Sequence, residues 1–210
     1  MAQSGYKTIR GFGTAEFVER KSRFIGSIQP VSTEEEAVAF IQSVKERHRE
    51  ANHNVYAYVL REGQIRRYSD DGEPQGTGGV PVLEVLLKEG LVDCCVVVTR
   101  YFGGVLLGAG GLVRAYSHGA KLAVDAAGIL NMQPCTVLEL TMDYSLYGKI
   151  TYILPRYETV VEDSDFGAAV RLRILMKDEH LPRFAKDLEE LTSAQVFPHV
   201  LEKRYAHIAP

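Results

Sequence analysis

Four stretches of the chain carry residues whose types and spacing can do chemistry: Asn52-His53-Asn54, the acidic loop Ser69 to Gly79, the strand end Thr99 to Gly104, and the glycine loop Gly108 to Gly119. Glycine lets a backbone approach a ligand closely, and successive free N–H groups at a helix start attract an anion. Gly103, Gly104, Gly108, Gly110 and Gly111 supply such a loop, with Arg100 and Tyr101 before it and Arg114 one turn into the helix. An anion held by Arg100 and Arg114 is one reading, and close backbone packing is the other. Neither the mononucleotide loop nor the dinucleotide fingerprint fits, because Val113 stands where the last glycine belongs and Arg114 follows it. Asp70, Asp71 and Glu73 make the grouping a hard cation such as Mg²⁺ uses, and also an ordinary turn around Gly72 and Pro74. His53 offers a general base near Asp70 or a hydrogen-bonded cap. Arg66 and Tyr68 alternate onto one face of a hairpin that also bears Arg61, Arg67, Tyr56 and Tyr58. Cations interleaved with rings on a sheet suit single-stranded RNA, and solvated arginines are the plainer alternative.

The rest of the composition bounds these readings. With 210 residues, 46% hydrophobic and 24% charged, the chain holds enough apolar matter for one large domain or two small ones, which excludes disorder, collagen and coiled coil as its main state. A net charge of −3 speaks against a bulk-charge grip on nucleic acid, so any such contact must be local. Apolar runs fall far short of the ~20 residues that cross a bilayer, and no membrane partner is expected. The opening Met-Ala-Gln-Ser-Gly-Tyr-Lys lacks the apolar segment of a secretion signal, so a cytoplasmic location is expected. Cys94 and Cys95, adjacent in an apolar strand, must point to opposite faces as inert thiols. There is no C-x-x-C on which to build a structural zinc site.

Positioning these residues requires two domains, divided at the polar, proline-bearing Asn131-Met132-Gln133-Pro134: residues 1–134 and 135–210. The first part carries 15 basic and 15 acidic residues and the second 9 and 12. The first part reads as strands Thr8 to Val18 and Arg23 to Val31, a helix begun by the capping box Ser32-Thr33-Glu34-Glu35, and a hairpin of Val55 to Leu60 with Gln64 to Tyr68. A short helix Val82 to Lys88, a buried strand Asp93 to Tyr101 and a helix Leu112 to Ala127 follow. The second part reads β-α-β-β-α-β, the order of a ferredoxin-like sandwich, with Leu181, Phe184, Leu188 and Leu191 along one helix face.

Taken together, the segments Lys21 to Gly26 (KSRFIG), the Asn52-His53-Asn54 stretch, SDDGEP from Ser69, VVVTRYFGG to Gly104 and LGAGGLVRAYS from Leu107 resemble the YigZ/IMPACT family, in order, over about 100 residues. The resemblance implies an α+β chain. Its N-terminal β-α-β sandwich would be like elongation factor G domain four, a fold shared with a small-subunit ribosomal protein, and its C-terminal domain ferredoxin-like. It further implies signature positions at Asp70, Asp71, Glu73, Gly76, Arg100, Tyr101, Gly103, Gly104, Gly108, Gly110, Gly111 and Arg114. The chain departs from the family pattern at Leu106, where a lysine is usual, and at Gly78, where alanine is usual. No cofactor is implied. The expected role is a translation-associated binding or regulatory protein that contacts RNA, the ribosome or a translation-associated protein. The rival is an enzyme acting on a phosphorylated small molecule, with phosphate on the glycine loop and a metal on the acidic loop.

Overall fold

The computed structural model describes residues 4–209, so the first three residues of the opening heptapeptide lie outside it. The chain divides into two compact units, Tyr6–Leu130 and, with the start of the chain, Asn131–Pro210. The first contains β1 (Tyr6–Ile9), β2 (Gly13–Glu19), β3 (Ser22–Pro30), α1 (Glu34–Arg47), β4 (His53–Val59), β5 (Arg66–Ser69), α2 (Gly79–Glu89), β6 (Cys94–Tyr101) and α3 (Ala109–Ala127). The predicted strand Thr8 to Val18 is broken at Arg10-Gly11-Phe12. There the Arg10 N–H donates to the Gly128 carbonyl at 2.8 Å, and β1 turns away to bridge Leu91.

Strands β2-β3-β6-β4-β5 form an antiparallel sheet with β6 at its centre, buried from Cys94 to Arg100. Strict alternation along β6 feeds two cores. Cys95 and Val97 meet Ala37, Phe40, Ile41 and Val44 of α1, whereas Cys94, Val96 and Val98 meet α2 and α3 through Val82, Leu86, Tyr116, Ala120 and Val124. Each fully buried Val, Leu, Ile or Phe contributes about 1.5–3 kcal/mol relative to exposure. Helix α3 lies tight on the sheet because Gly26 of β3 faces Gly119, where a Cβ would overlap the Gly119 carbonyl. Helix α1 is capped by Thr33, whose Oγ1 accepts the Glu36 N–H at 3.2 Å, while Glu36 Oε2 accepts the Ser32 N–H at 2.6 Å. The reciprocal glutamate is thus Glu36, one position after the predicted one, because Thr33 and not Ser32 is the cap.

The second unit has β7 (Ile129–Met142), α4 (Tyr144–Ile153), β8 (Val160–Phe166), β9 (Val170–Lys177), α5 (Leu181–Thr192) and β10 (His199–Ala206). Its antiparallel strand order β10-β7-β9-β8 and its β-α-β-β-α-β sequence are ferredoxin-like. Phe184 and Leu188 of α5 and Ile150 and Ile153 of α4 pack on Leu138, Leu140, Leu172 and Ile174 of the sheet. The polar stretch Asn131 to Pro134 is strand here, not linker: β7 runs through it, and Gln133 and Pro134 pair with Ala206 and Tyr205. Among the described residues no helix is long and apolar enough to cross a membrane.

Candidate functional site

Register brings the chemistry to one end of the first sheet, where Arg100 lies opposite Phe24 of β3 on one side and His53 of β4 on the other. Arg100 ends the buried strand, so its side chain is held inside: Nη1 donates to Glu73 Oε1 at 2.7 Å, with the two side chains only 6% and 3% exposed. The same oxygen accepts the Tyr116 hydroxyl at 2.7 Å, and Arg100 Nη2 donates to Ser22 Oγ at 3.4 Å. Burial, then the bond to Glu73, pushes the Tyr116 phenol far above its usual range, so it remains a protonated donor. His53 stands beside this group. Its Nδ1 is 2.9 Å from the Asp71 carbonyl, and a carbonyl only accepts, so Nδ1 carries a hydrogen and orients the ring with Nε2 3.8 Å from Glu73 Oε1.

These side chains floor an open cleft of about 440 Å³ where the acidic loop (Gly72, Glu73, Pro74) meets the second glycine loop (Leu106 to Ala109). Phe102, Leu107 and Leu112 give it apolar walls. Gly103 secures the corner. A Cβ there would overlap the Lys21 carbonyl, so the loop can lie against the β2–β3 turn only with glycine at this position.

The three carboxylates proposed for a metal are directed apart. Asp70 accepts the N–H groups of Gly76, Gly78 and Gly79 at 2.8–3.0 Å, which extends α2 three residues before its predicted start. Burial raises its pKa, but the three backbone bonds outweigh this and hold the carboxyl below its ordinary value. Asp71 accepts the Asn54 N–H at 2.6 Å and pairs with Lys45 at 2.7 Å. Among the described residues no group of three or more His, Cys, Asp or Glu side chains is arranged to hold a metal ion. Asp70 and Asp71 thus bond to the backbone of α2 and β4 and to Lys45, and Glu73 lines the cleft.

Arg100 and Arg114, expected to flank one anion, are separated by this arrangement. Arg114 is exposed and lines a smaller hollow of about 250 Å³ with Arg20, His118, Phe17 and Glu19, beside the first turn of α3. Gly108 precedes α3 with positive φ and, with Ala109, rims the cleft, whereas Gly111 lines the smaller hollow. Gly104 also has positive φ. Tyr101 is half-buried, its hydroxyl 2.9 Å from His48 Nδ1. Arg66 and Tyr68 do share a face, opposite Val59 and Ala57, and both are exposed. Arg66, however, sits level with Cys94, six residues or about 20 Å along β6 from Arg100. Tyr56 and Tyr58 point to the other face, stacked on each other, with the Tyr58 hydroxyl donating to Glu34. The hairpin therefore offers no single platform of cations and rings joined to the Arg100 region.

Residues 20–124 match the model of the Impact N-terminal domain, and residues 140–195 match a domain of unknown function, DUF1949. The chain is 40% identical to IMPACT family member YvyE of Bacillus subtilis, over 90% of this chain and 88% of that relative. It belongs to the IMPACT family. IMPACT family member YigZ of Escherichia coli is 35% identical over 82% of this chain and 86% of its own. A crystal structure of a hypothetical protein has the same overall fold, with a TM-score of 0.60 and 31% identity across 95% of this chain and 98% of that one.

In this IMPACT family chain, the side chains that line the cleft or bond to its floor come from all five family motifs, with Arg100 supplied by the fourth. Ser22 lies in the first family motif, His53 in the second, Glu73 in the third, and Tyr116 in the last. The sequence offers Glu73 to a metal or a turn and as a family signature position, and gives Tyr116 no role. The signal for their pairing was available in principle, since a tyrosine on the apolar face of α3 must find an acceptor.

Proposed function

We propose that this IMPACT family chain is a cytoplasmic translation-associated regulatory protein that binds RNA through the end of its first domain. One observation carries the reading: Arg20 and Arg114, both exposed and with no ion-pair partner among the described residues, converge with His118 on the hollow beside the first turn of α3. Phosphate oxygens are bound by arginine forks, and two are present there. Glu19 on the rim limits the charge, in keeping with a local contact. Arg100 takes no direct part, because it does not line this hollow and its Nη1 and Nη2 donate to Glu73 and Ser22. The family's proposed link to translation accords with an RNA-facing surface of this kind. Co-sedimentation with ribosomes tests it: the wild-type chain enters the ribosomal fractions at low salt and leaves them at high salt, whereas an Arg20→Glu, Arg114→Glu variant stays at the top of the gradient. Wild-type chain that stays at the top at low salt contradicts the proposal.

A further inference from the structure

The cleft bounded by His53, Glu73 and Arg100 has a different character from the arginine hollow, and it carries an inference beyond RNA contact. Its volume, about 440 Å³, lies in the range of small-molecule sites, and it combines apolar walls with a few converging polar groups. Those groups are mainly donors. Helix α3 has no side-chain cap, and its first internal bond runs from Leu112 N–H to the Gly108 carbonyl. The N–H groups of Ala109, Gly110 and Gly111 are therefore free of intrahelical acceptors, and Ala109 lies on the cleft rim. On the floor, Arg100 is nine-tenths buried, yet its Nε has no hydrogen-bond partner, an uncommon state for a buried donor. The Glu73 carboxylate is neutralised by Arg100, and its Oε1 is fully used by Arg100 and Tyr116, so it adds no net negative charge beyond that pair. His53 faces the cleft with Nε2, the ring being fixed through Nδ1. Asn52 completes the rim, its Oδ1 already accepting the Phe102 N–H.

We infer that this cleft binds a small organic anion, a phosphate or carboxylate group attached to an apolar body. The anionic group lies at the start of α3 within reach of His53, and the apolar body lies against Phe102, Leu106, Leu107 and Leu112. The buried Glu73–Arg100–Tyr116 group is the rigid floor that keeps His53 and the helix start in place.

The test is an amide and imidazole NMR titration of the full-length ¹⁵N-labelled chain with phenyl phosphate, with benzoate, and with inorganic phosphate and phenol separately. Saturable shifts of Ala109, Gly110, Gly111 and the His53 ring are expected with phenyl phosphate or benzoate, and whichever binds more tightly identifies the anion. Inorganic phosphate and phenol should each bind at least about tenfold more weakly than the joined molecule, because each engages only half of the site. Leu106→Asp, at a position 79% exposed and so harmless to folding, places a negative charge at the mouth and should weaken binding by about tenfold or more. Ala109→Pro removes one free N–H at a helix position that tolerates proline and should act in the same direction. Absence of saturable shifts at these residues with every probe overturns the inference. So does phenol binding as tightly as phenyl phosphate, or Leu106→Asp binding as tightly as wild type.

Discussion

Replacing Glu73 by alanine should expose how the candidate site is held. The substitution leaves the Arg100 guanidinium, 6% exposed, without its counter-charge and the fully buried Tyr116 hydroxyl without its acceptor. Removing one partner of a buried ion pair costs about 3–5 kcal/mol, because the remaining charge stays desolvated. A buried hydroxyl left without a bond adds about 1–3 kcal/mol, less whatever water the neighbouring cleft supplies. The total is not additive, and a loss of about 4 kcal/mol is expected, a large part of the ~5–15 kcal/mol that stabilises a domain. Glu73→Gln keeps the shape and one acceptor and should lose about 2 kcal/mol. An apolar triple variant, Glu73→Leu, Arg100→Met, Tyr116→Phe, should recover most of the loss, since replacing a whole buried polar group by matched apolar side chains is often neutral. Native-state hydrogen exchange at Val96, Val97 and Val98 is the suitable assay, because these central-strand amides report opening of the first domain alone, whereas a melt of a two-domain chain does not. A Glu73→Ala variant within about 1 kcal/mol of wild type would refute the reasoning, because it would mean that the guanidinium is solvated through the cleft.

Asp70 gives a pH signature. Its folded carboxyl is held below the ordinary 3.8, so the unfolded state binds the proton more readily; the stability it contributes is present above about pH 4 and is lost as pH falls through the folded pKa. Asp70→Asn, which cannot titrate, should be less stable than wild type at pH 7, and the gap should narrow in acid unfolding followed by tyrosine near-ultraviolet circular dichroism. A gap that stays constant from pH 7 to pH 3 would count against the three-bond cap. The cysteines should be silent: burial, then Asp93, pushes the Cys94 thiol up to about 12, and burial raises Cys95 and Cys135 as well. Ellman's reagent at pH 8 should find no reactive thiol in the native chain and three in denaturant, and rapid native labelling of Cys94 or Cys95 would mean that β6 is not the packed centre of the sheet.

Much of the fold was legible because periodicity reports burial. The alternation of β6 assigned Cys94 and Cys95 to opposite faces, and the spacing of Leu181, Phe184 and Leu188 marked the packed face of α5. Boundaries were less legible where tertiary bonds decide them. Asp70, six to nine residues away, starts α2 early by taking N–H groups that local propensity leaves free, and pairing with β10 turns a polar, proline-bearing stretch into strand. At the site, the motifs located the right segments but not their partners. Adjacent acids in a turn look alike whether they bind a metal, cap a helix or pair with a buried arginine, and only the register of β6 against β4 separates these roles. Arg100 reads from the sequence as a candidate anion ligand beside Arg114, whereas in the fold its guanidinium is buried. Its burial depends on Glu73 and Tyr116, which lie 27 and 16 positions away in sequence.

The central claim is that the first domain binds RNA phosphates through Arg20 and Arg114 in the hollow beside α3. Its most direct test is the salt dependence of binding to a short fluorescent single-stranded RNA, followed by anisotropy. Two or three phosphate contacts give a slope of log K against log salt of about −1.4 to −2.1 for a single strand. Saturable binding at low salt is expected with a slope in that range, reduced by about 1.4 in the Arg20→Glu, Arg114→Glu variant and unchanged by Arg66→Ala. No saturable binding at low salt, or a slope that the double variant leaves intact, would contradict it.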